Sequence, residues 1–311
     1  MSYVFSSLLS MENARRIKAK PVVLVVGCNS KVAKATINTL STKYARKLKV
    51  HVGFQLSELL ENLKASSRVT TVKEEMEEFT KMKAAFADVQ ALLIVAPYRE
   101  DGVEFVSKTV NAAKKAGVKH ILLLSSTYAA TGETTYGKQF YHLEQAVMAG
   151  GIPFTILRLP WLMENFFVYK HTIKSHMQFF VPGDPKREFE TVCVGDAGAA
   201  AAAVLASPLE HVGKVYSVVG DWSTLEKVSS AMTSTLSKVI ACIQVPYDEA
   251  LGQLIRNDMV DENLEEYSEF YKTLDSASQQ TLEENQHYQY ITGKSPTKLI
   301  SWMNRHADVF N

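Results

Sequence analysis

The chain has 311 residues, with 34 Lys and Arg against 33 Asp and Glu, a formal charge of +1, and 46% hydrophobic residues. The even charge argues against a general phosphate-backbone binder, which needs a clustered basic excess, and the apolar content is too high for a disordered chain. No run of about 18 apolar residues offers a membrane span, and Cys28, Cys193 and Cys242 suit neither a disulfide framework nor a metal site, so a soluble cytoplasmic α/β protein without nucleic-acid or membrane partners is expected.

In residues 1–20 the short apolar VFSSLL precedes the basic residues. A secretory segment has the reverse order and about 7–15 apolar residues. A short amphipathic or frayed extension is expected, with a mitochondrial presequence as the alternative on Arg15, Arg16, Lys18 and Lys20.

Short apolar runs then alternate with helix-period segments. The run 22–26, VVLVV, has the pattern of a strand buried on both faces. Further strands are expected at 50–54, 69–72, 91–95, 120–124 and 154–157. Helices are expected at 32–47, 58–63, 78–86, 103–116 and 139–148, with Gly117 as a left-handed cap. This alternation implies right-handed βαβ units and a Rossmann-type, doubly wound parallel sheet over residues 21–160. Residues 161–311 read as a smaller, mostly helical lobe without an independent sheet, with segments returning to the main one. Its expected elements are helices at 196–206, 225–236 and 295–307, the last starting at Ser295-Pro296, and strands at 215–219 and 240–245.

The first strand runs into Gly27, Asn29, Ser30, Lys31 and Val32 before a helix. Gly27, Ser30 and Ala33 have the spacing of a glycine-rich phosphate loop, but only the first is still glycine. An ordinary strand–turn–helix connection explains the loop equally well. After the second strand, Gln55 is neither the acid that reads a ribose hydroxyl nor the base that reads a 2′-phosphate. Lys31 could supply that positive charge, or be a solvated first-turn lysine.

The stretch GIPFTILRLPWLMENFF, residues 151–167, resembles a block of the NmrA-like family of atypical short-chain dehydrogenase/reductase proteins. Ala96-Pro97, the 117–126 stretch ending in Ser125-Ser126, Gly195-Asp196, VPYDEAL at 245–251 and ITGKSP at 291–296 agree in order. The resemblance covers about residues 21 to 310. It implies a Rossmann-type sheet binding NADP(H), with NAD(H) second, and a lobe closing a cleft over the nicotinamide. The family holds NAD(P)H-dependent quinone and dye reductases, and also redox-sensing regulators that bind the cofactor and a protein partner.

The chain departs from these relatives. Neither Tyr128 nor Tyr136 nor Tyr141 has a Lys four residues on, so the Tyr-x-x-x-Lys dyad that an ordinary short-chain dehydrogenase carries in this region is absent. Where the family commonly has a His followed four residues on by a Lys, this chain has Tyr136 and Phe140, with Lys138 between them. Tyr136 and Lys138 are therefore the catalytic candidates, expected between a loop and a helix. A phenol can protonate a reducing carbonyl, and a nearby ammonium favours its ionised form. Gly27, Asn29, Ser30, Lys31, Val32, Gln55, Ala96, Pro97, Tyr98 and Ser125 are expected at the cofactor. Ser126, Trp161, Asn165 and Phe166 are expected at the substrate cleft, although Asn165 could simply fix its loop and most aromatics could be core.

Three functions stay open: a reductase of a small conjugated acceptor such as a quinone or carbonyl compound; a cofactor-sensing regulator with a protein partner, for which the acidic segment 258–269 is either the surface or a solvated face; and a member that has exchanged nucleotide binding for a non-redox ligand. A homodimer is the default for a soluble chain.

Overall fold

A computed structural model describes residues 20–27, 29–54, 69–73, 85–132, 134–256, 264–275 and 286–311. Gln55, the expected helix at 58–63, most of that at 78–86 and nearly all of the N-terminal extension lie outside these residues. In chain order the elements are β1 (Val22–Val26), α1 (Lys31–Lys43), β2 (Lys49–Phe54), β3 (Val69–Lys73), β4 (Val89–Val95), α2 (Gly102–Ala116), β5 (His120–Ser126), α3 (Thr135–Ala149) and β6 (Phe154–Leu159). There follow β7 (Trp161–Leu162), α4 (Lys170–His176), β8 (Gln178–Val181), β9 (Phe189–Val192), α5 (Val194–Ala206), β10 (Lys214–Ser217), β11 (Asp221–Ser223) and α6 (Leu225–Leu236). The chain ends with β12 (Ala241–Gln244), α7 (Tyr247–Arg256), α8 (Leu264–Asp275), α9 (His287–Thr292), α10 (Leu299–Arg305) and α11 (Ala307–Phe310).

All five side chains of β1 are buried, and they alternate between two cores. Val23 and Val25 pack with α1 and α5 through Ile37, Leu40 and Ala201. Val22, Leu24 and Val26 pack with α2 and α3 through Val106, Val110, Leu143 and Val147. Helices therefore cover both faces, which is why β1 is continuously apolar. Leu24 has no exposed surface, and truncating such a side chain to Ala costs about 2–5 kcal/mol.

The strand order is β10-β6-β5-β4-β1-β2-β3, with every neighbouring pair parallel. The chain runs outward from β1 through β2 and β3, then returns to β4 on the other side. This reversal opens a crevice at the carboxyl ends of β1 and β4, where open α/β sheets bind ligands. Gly117 is the left-handed cap of α2, with φ 81°.

The later half differs from expectation in two ways, its extra small sheets and the start of its last helix. It contains a three-stranded sheet, β11-β9-β7, and a two-stranded sheet, β12-β8. Their strands are two to four residues long, too short to show a period of two in the sequence. The segment expected as a strand at 215–219 is β10, which closes the edge of the main sheet beside β6. The last long helix starts at Leu299 rather than at Ser295-Pro296. Asp196 Oδ2 accepts the Thr297 N–H at 2.6 Å and Asp221 Oδ2 accepts the Leu299 N–H at 2.8 Å. These carboxylates from other elements hold the approach extended until Leu299. The lobe core joins Trp161, Phe166, Phe179, Phe270, Tyr271 and Trp302.

Candidate active site

β1 is followed at once by Gly27, whose φ is +82°. A Cβ at this position would lie 2.0 Å from the carbonyl oxygen of Val95, the last residue of β4. Both the backbone angle and the close approach therefore demand glycine. Ser30 caps α1, its hydroxyl accepting the Val32 N–H at 3.2 Å. Asn29 and Lys31 are exposed, while Val32 and Ala33 are buried beneath the turn. The loop thus presents polar groups at a helix start, where the backbone field favours an anion.

Ala96, Pro97 and Tyr98 follow β4 on the other side of the crevice and are half-buried. Ser125, at the end of β5, donates its hydroxyl proton to Glu144 Oε1 at 2.6 Å. Glu144, on α3, also accepts from Arg158 of β6, Nε to Oε1 at 2.9 Å and Nη2 to Oε2 at 2.7 Å. Ser125 is thereby left as an acceptor toward the crevice rather than a donor. Ser126 accepts the Tyr128 N–H at 3.3 Å and starts the turn at Thr127–Ala130.

Helix α3 begins at Thr135, four residues earlier than expected, because the Thr134 hydroxyl caps it by accepting the Gly137 N–H at 3.0 Å. Its first turn lies so close to the preceding segment that a Cβ on Gly137 would stand 2.6 Å from the Tyr128 carbonyl oxygen. Tyr136 is therefore inside the helix and not in a loop before it. Its side chain is buried among Tyr98 and Phe140, each 4.9 Å away between centroids, and Tyr128 at 5.9 Å.

Lys138 is exposed. Two residues along a helix is a rotation of about 200°, so Lys138 and Tyr136 leave opposite sides of α3. The expected ammonium beside the phenol is not built. Burial, then Glu266, the neighbouring tyrosines and Glu269, instead push the Tyr136 phenol well above its ordinary range.

Helix α8 covers this cluster. Asn165, buried in the Met163–Tyr169 turn, donates from Nδ2 to Glu266 Oε1 at 2.8 Å, and its carbonyl accepts the Tyr267 hydroxyl at 2.6 Å. Trp161 stacks on Phe270 with centroids 3.8 Å apart and an interplanar angle of 13°. Asn165 and Trp161 thus hold α8 against the crevice. Phe166, expected to line the cleft, is instead fully buried in the lobe core between Trp161, Phe189 and Trp302. Glu164 joins distant parts: Oε2 accepts the Val194 N–H that opens α5 at 2.8 Å, and Oε1 accepts from Trp302 Nε1 at 3.0 Å.

The described part of the acidic segment is not a solvated face. Glu269 is 5% exposed, and burial raises the pKa of Glu266 while the charge of Lys31 opposes that rise. Glu144, Glu266 and Glu269 were not singled out by sequence reasoning. Glu144 left a usable signal: it is an acid in the buried stripe of α3, with Leu143 and Val147.

Known proteins resemble this chain in sequence and in fold. An NAD(P)H azoreductase of Xenophilus azovorans is 23% identical over 206 residues, 65% of this chain and 71% of the relative. Quinone oxidoreductase 2 of Escherichia coli is 34% identical over 134 residues, 42% of this chain and 46% of the relative. The solved structure of the NADPH-dependent quinone oxidoreductase of Escherichia coli, complexed with NADPH, matches with a TM-score of 0.78 at 20% identity, over 93% of this chain and 100% of that one. The NmrA-like family model matches residues 19–298, and with that extent of agreement the chain belongs to the NmrA-like family.

Proposed function

We propose that this protein binds NADP(H) in the crevice between β1 and β4 and reduces a small conjugated acceptor. The observation that carries this reading is Gly27, where the backbone passes the end of β4 with no room for a side chain. That approach sets the end of β1 against β4, so that the start of α1, whose backbone N–H groups suit a pyrophosphate, opens directly on the crevice. Gly27, Asn29, Ser30, Lys31 and Val32 would hold the phosphates, with the exposed Lys31 favouring the additional phosphate of NADP(H) over NAD(H). Ala96, Pro97 and Tyr98 would flank the cofactor, and Ser125 would accept a hydrogen bond from it. Bound there, the reduced cofactor supplies hydride, while the protein supplies orientation and a covered, partly apolar site. The names of the azoreductase and quinone oxidoreductase relatives support a reductase of small acceptors.

Fluorescence titration with NADPH and NADH separately, followed by NADPH oxidation with a panel of quinones, tests this. Micromolar NADPH binding and turnover with one of the quinones are expected. Absence of dinucleotide binding would overturn the reading. Binding without turnover on any acceptor would favour a cofactor-sensing role instead.

A further inference from the structure

We propose that helix α8 is an internal competitor of the cofactor: it occupies the crevice between Lys31 and Tyr136, and a dinucleotide enters only by displacing it. The proposal rests on the NADP(H) reading above and adds what fills the crevice before the cofactor arrives.

The first observation is where α8 lies. It packs on α3, and Thr273 pairs with the Tyr128 hydroxyl. Glu266 and Glu269 act electrostatically on both Tyr128 and Tyr136, and Glu265 and Glu269 act on Tyr98, which follows β4. On the other side of the crevice, the charge of Lys31 offsets part of the effect of burial on the Glu266 carboxylate. A helix of 12 residues is about 18 Å long, enough for α8 to reach the phosphate loop, the end of β4 and α3 together. A dinucleotide laid across the carboxyl ends of β1 and β4 follows the same line.

The second is charge. Helix α8 brings Glu265, Glu266 and Glu269 to the crevice, and a dinucleotide brings its phosphates. Glu266 and a phosphate would share Lys31, an exposed cation. Like charges held close together out of water disfavour each other, so one anion excludes the other.

The third is that α8 docks with unmet groups. Glu269 Oε1 accepts from Lys272 at 3.2 Å, but Oε2 is buried without a partner among the described residues. Trp161 Nε1 is likewise buried without one, although Phe270 stacks on its ring. Each such atom lowers the gain from docking. The two Asn165 bonds, to Glu266 and Tyr267, oppose release. Asn165 and Trp161 are side chains that the sequence places at the substrate cleft, and α8 engages both. Its departure uncovers them as the cofactor enters.

Competition fixes the sign of two measurable effects. If only molecules with α8 released bind, the apparent dinucleotide affinity scales with their fraction, and the cofactor loosens α8 by the same coupling. A lid that closes over bound cofactor gives the reverse on both counts.

The test measures amide exchange of the wild-type protein with and without saturating NADP⁺, and NADPH affinity of wild type and Tyr267→Phe by fluorescence. Exchange in α8 is expected to accelerate about tenfold with NADP⁺, while the 27–32 loop becomes protected. Tyr267→Phe, which loses the bond to the Asn165 carbonyl, is expected to bind NADPH about fivefold more tightly than wild type. Slowed or unchanged exchange in α8 beside a protected loop, or NADPH binding by Tyr267→Phe no tighter than wild type, overturns the competition and leaves the cofactor reading standing. Absence of dinucleotide binding by both proteins overturns both.

Discussion

The Ser125 hydroxyl donates to Glu144, a carboxylate with no exposed surface that also holds both arms of Arg158. Three elements, β5, α3 and β6, are tied at the end of the sheet that faces the crevice. Removing one member leaves the others buried with unmet charge or donors. Glu144→Ala is expected to destabilise the fold by about 3 kcal/mol, as for other broken buried ion pairs. Glu144→Gln, which keeps an acceptor, should lose less. Urea unfolding of the two variants measures this, and equal stability of Glu144→Ala and wild type would refute it.

A Cβ on Gly27 would meet the Val95 carbonyl at 2.0 Å, and the residue's φ of +82° is one that L side chains rarely adopt. Gly27→Ala must therefore shift β1 away from β4 at the crevice mouth. A stability loss on the order of 1–3 kcal/mol is expected from the strained backbone. NADPH affinity should fall by at least tenfold, because the loop moves with β1. Unfolding curves and fluorescence titration read the two effects independently.

The sheet was legible in the sequence because a strand buried on both faces must be continuously apolar, as 22–26 and 121–124 are. The left-handed cap at Gly117 was legible for a similarly local reason. The short strands of the lobe were not, since β7 or β11 gains its partners only from distant chain. The candidate site was legible only in part. Tyr136 is brought to the crevice, but its relation to Lys138 depended on whether α3 starts at 135 or 139. That start is set by the Thr134 cap rather than by hydrophobic period. Phe166 and Asn165 are neighbours in one block, yet one enters the lobe core and the other binds α8. The contacts that separate them lie about a hundred residues away, at Glu266 and Tyr267.

Asn165 grips α8 twice, through its side chain to Glu266 and through its carbonyl to Tyr267. Tyr267→Phe removes one buried hydrogen bond and should cost about 1 kcal/mol. Asn165→Ala removes the other and leaves the Glu266 carboxylate without its donor, a loss of about 1–3 kcal/mol. Both should raise amide exchange in α8 more than in β1 or β5, since α8 is the element released. Uniform acceleration across the sheet would contradict this placement.

His120 is 1% exposed; its Nε2 pairs with Thr155 Oγ1 at 3.0 Å, and Nδ1 has no partner among the described residues. Thr155 gives its own proton to the His211 carbonyl at 2.7 Å, so His120 donates from Nε2 and its Nδ1 carries the lone pair. Burial, and secondarily His211, lower its pKa from 6.5 to about 4. The unfolded chain therefore takes up a proton at a higher pH than the native one does. The associated stability is fully present above pH 6.5 and is lost as pH falls toward about 4. At 1.36 kcal/mol per pK unit, the loss is on the order of 3 kcal/mol. Glu190 works in the opposite sense, because burial raises its pKa to about 7, so its protonated form favours the native state as pH falls. Wild-type pH dependence alone mixes the two. The difference in unfolding free energy between wild type and His120→Gln isolates the histidine. It should be constant above pH 7 and move against wild type by about 3 kcal/mol between pH 6.5 and pH 4. A difference independent of pH across that window would show that His120 is not held neutral by its burial.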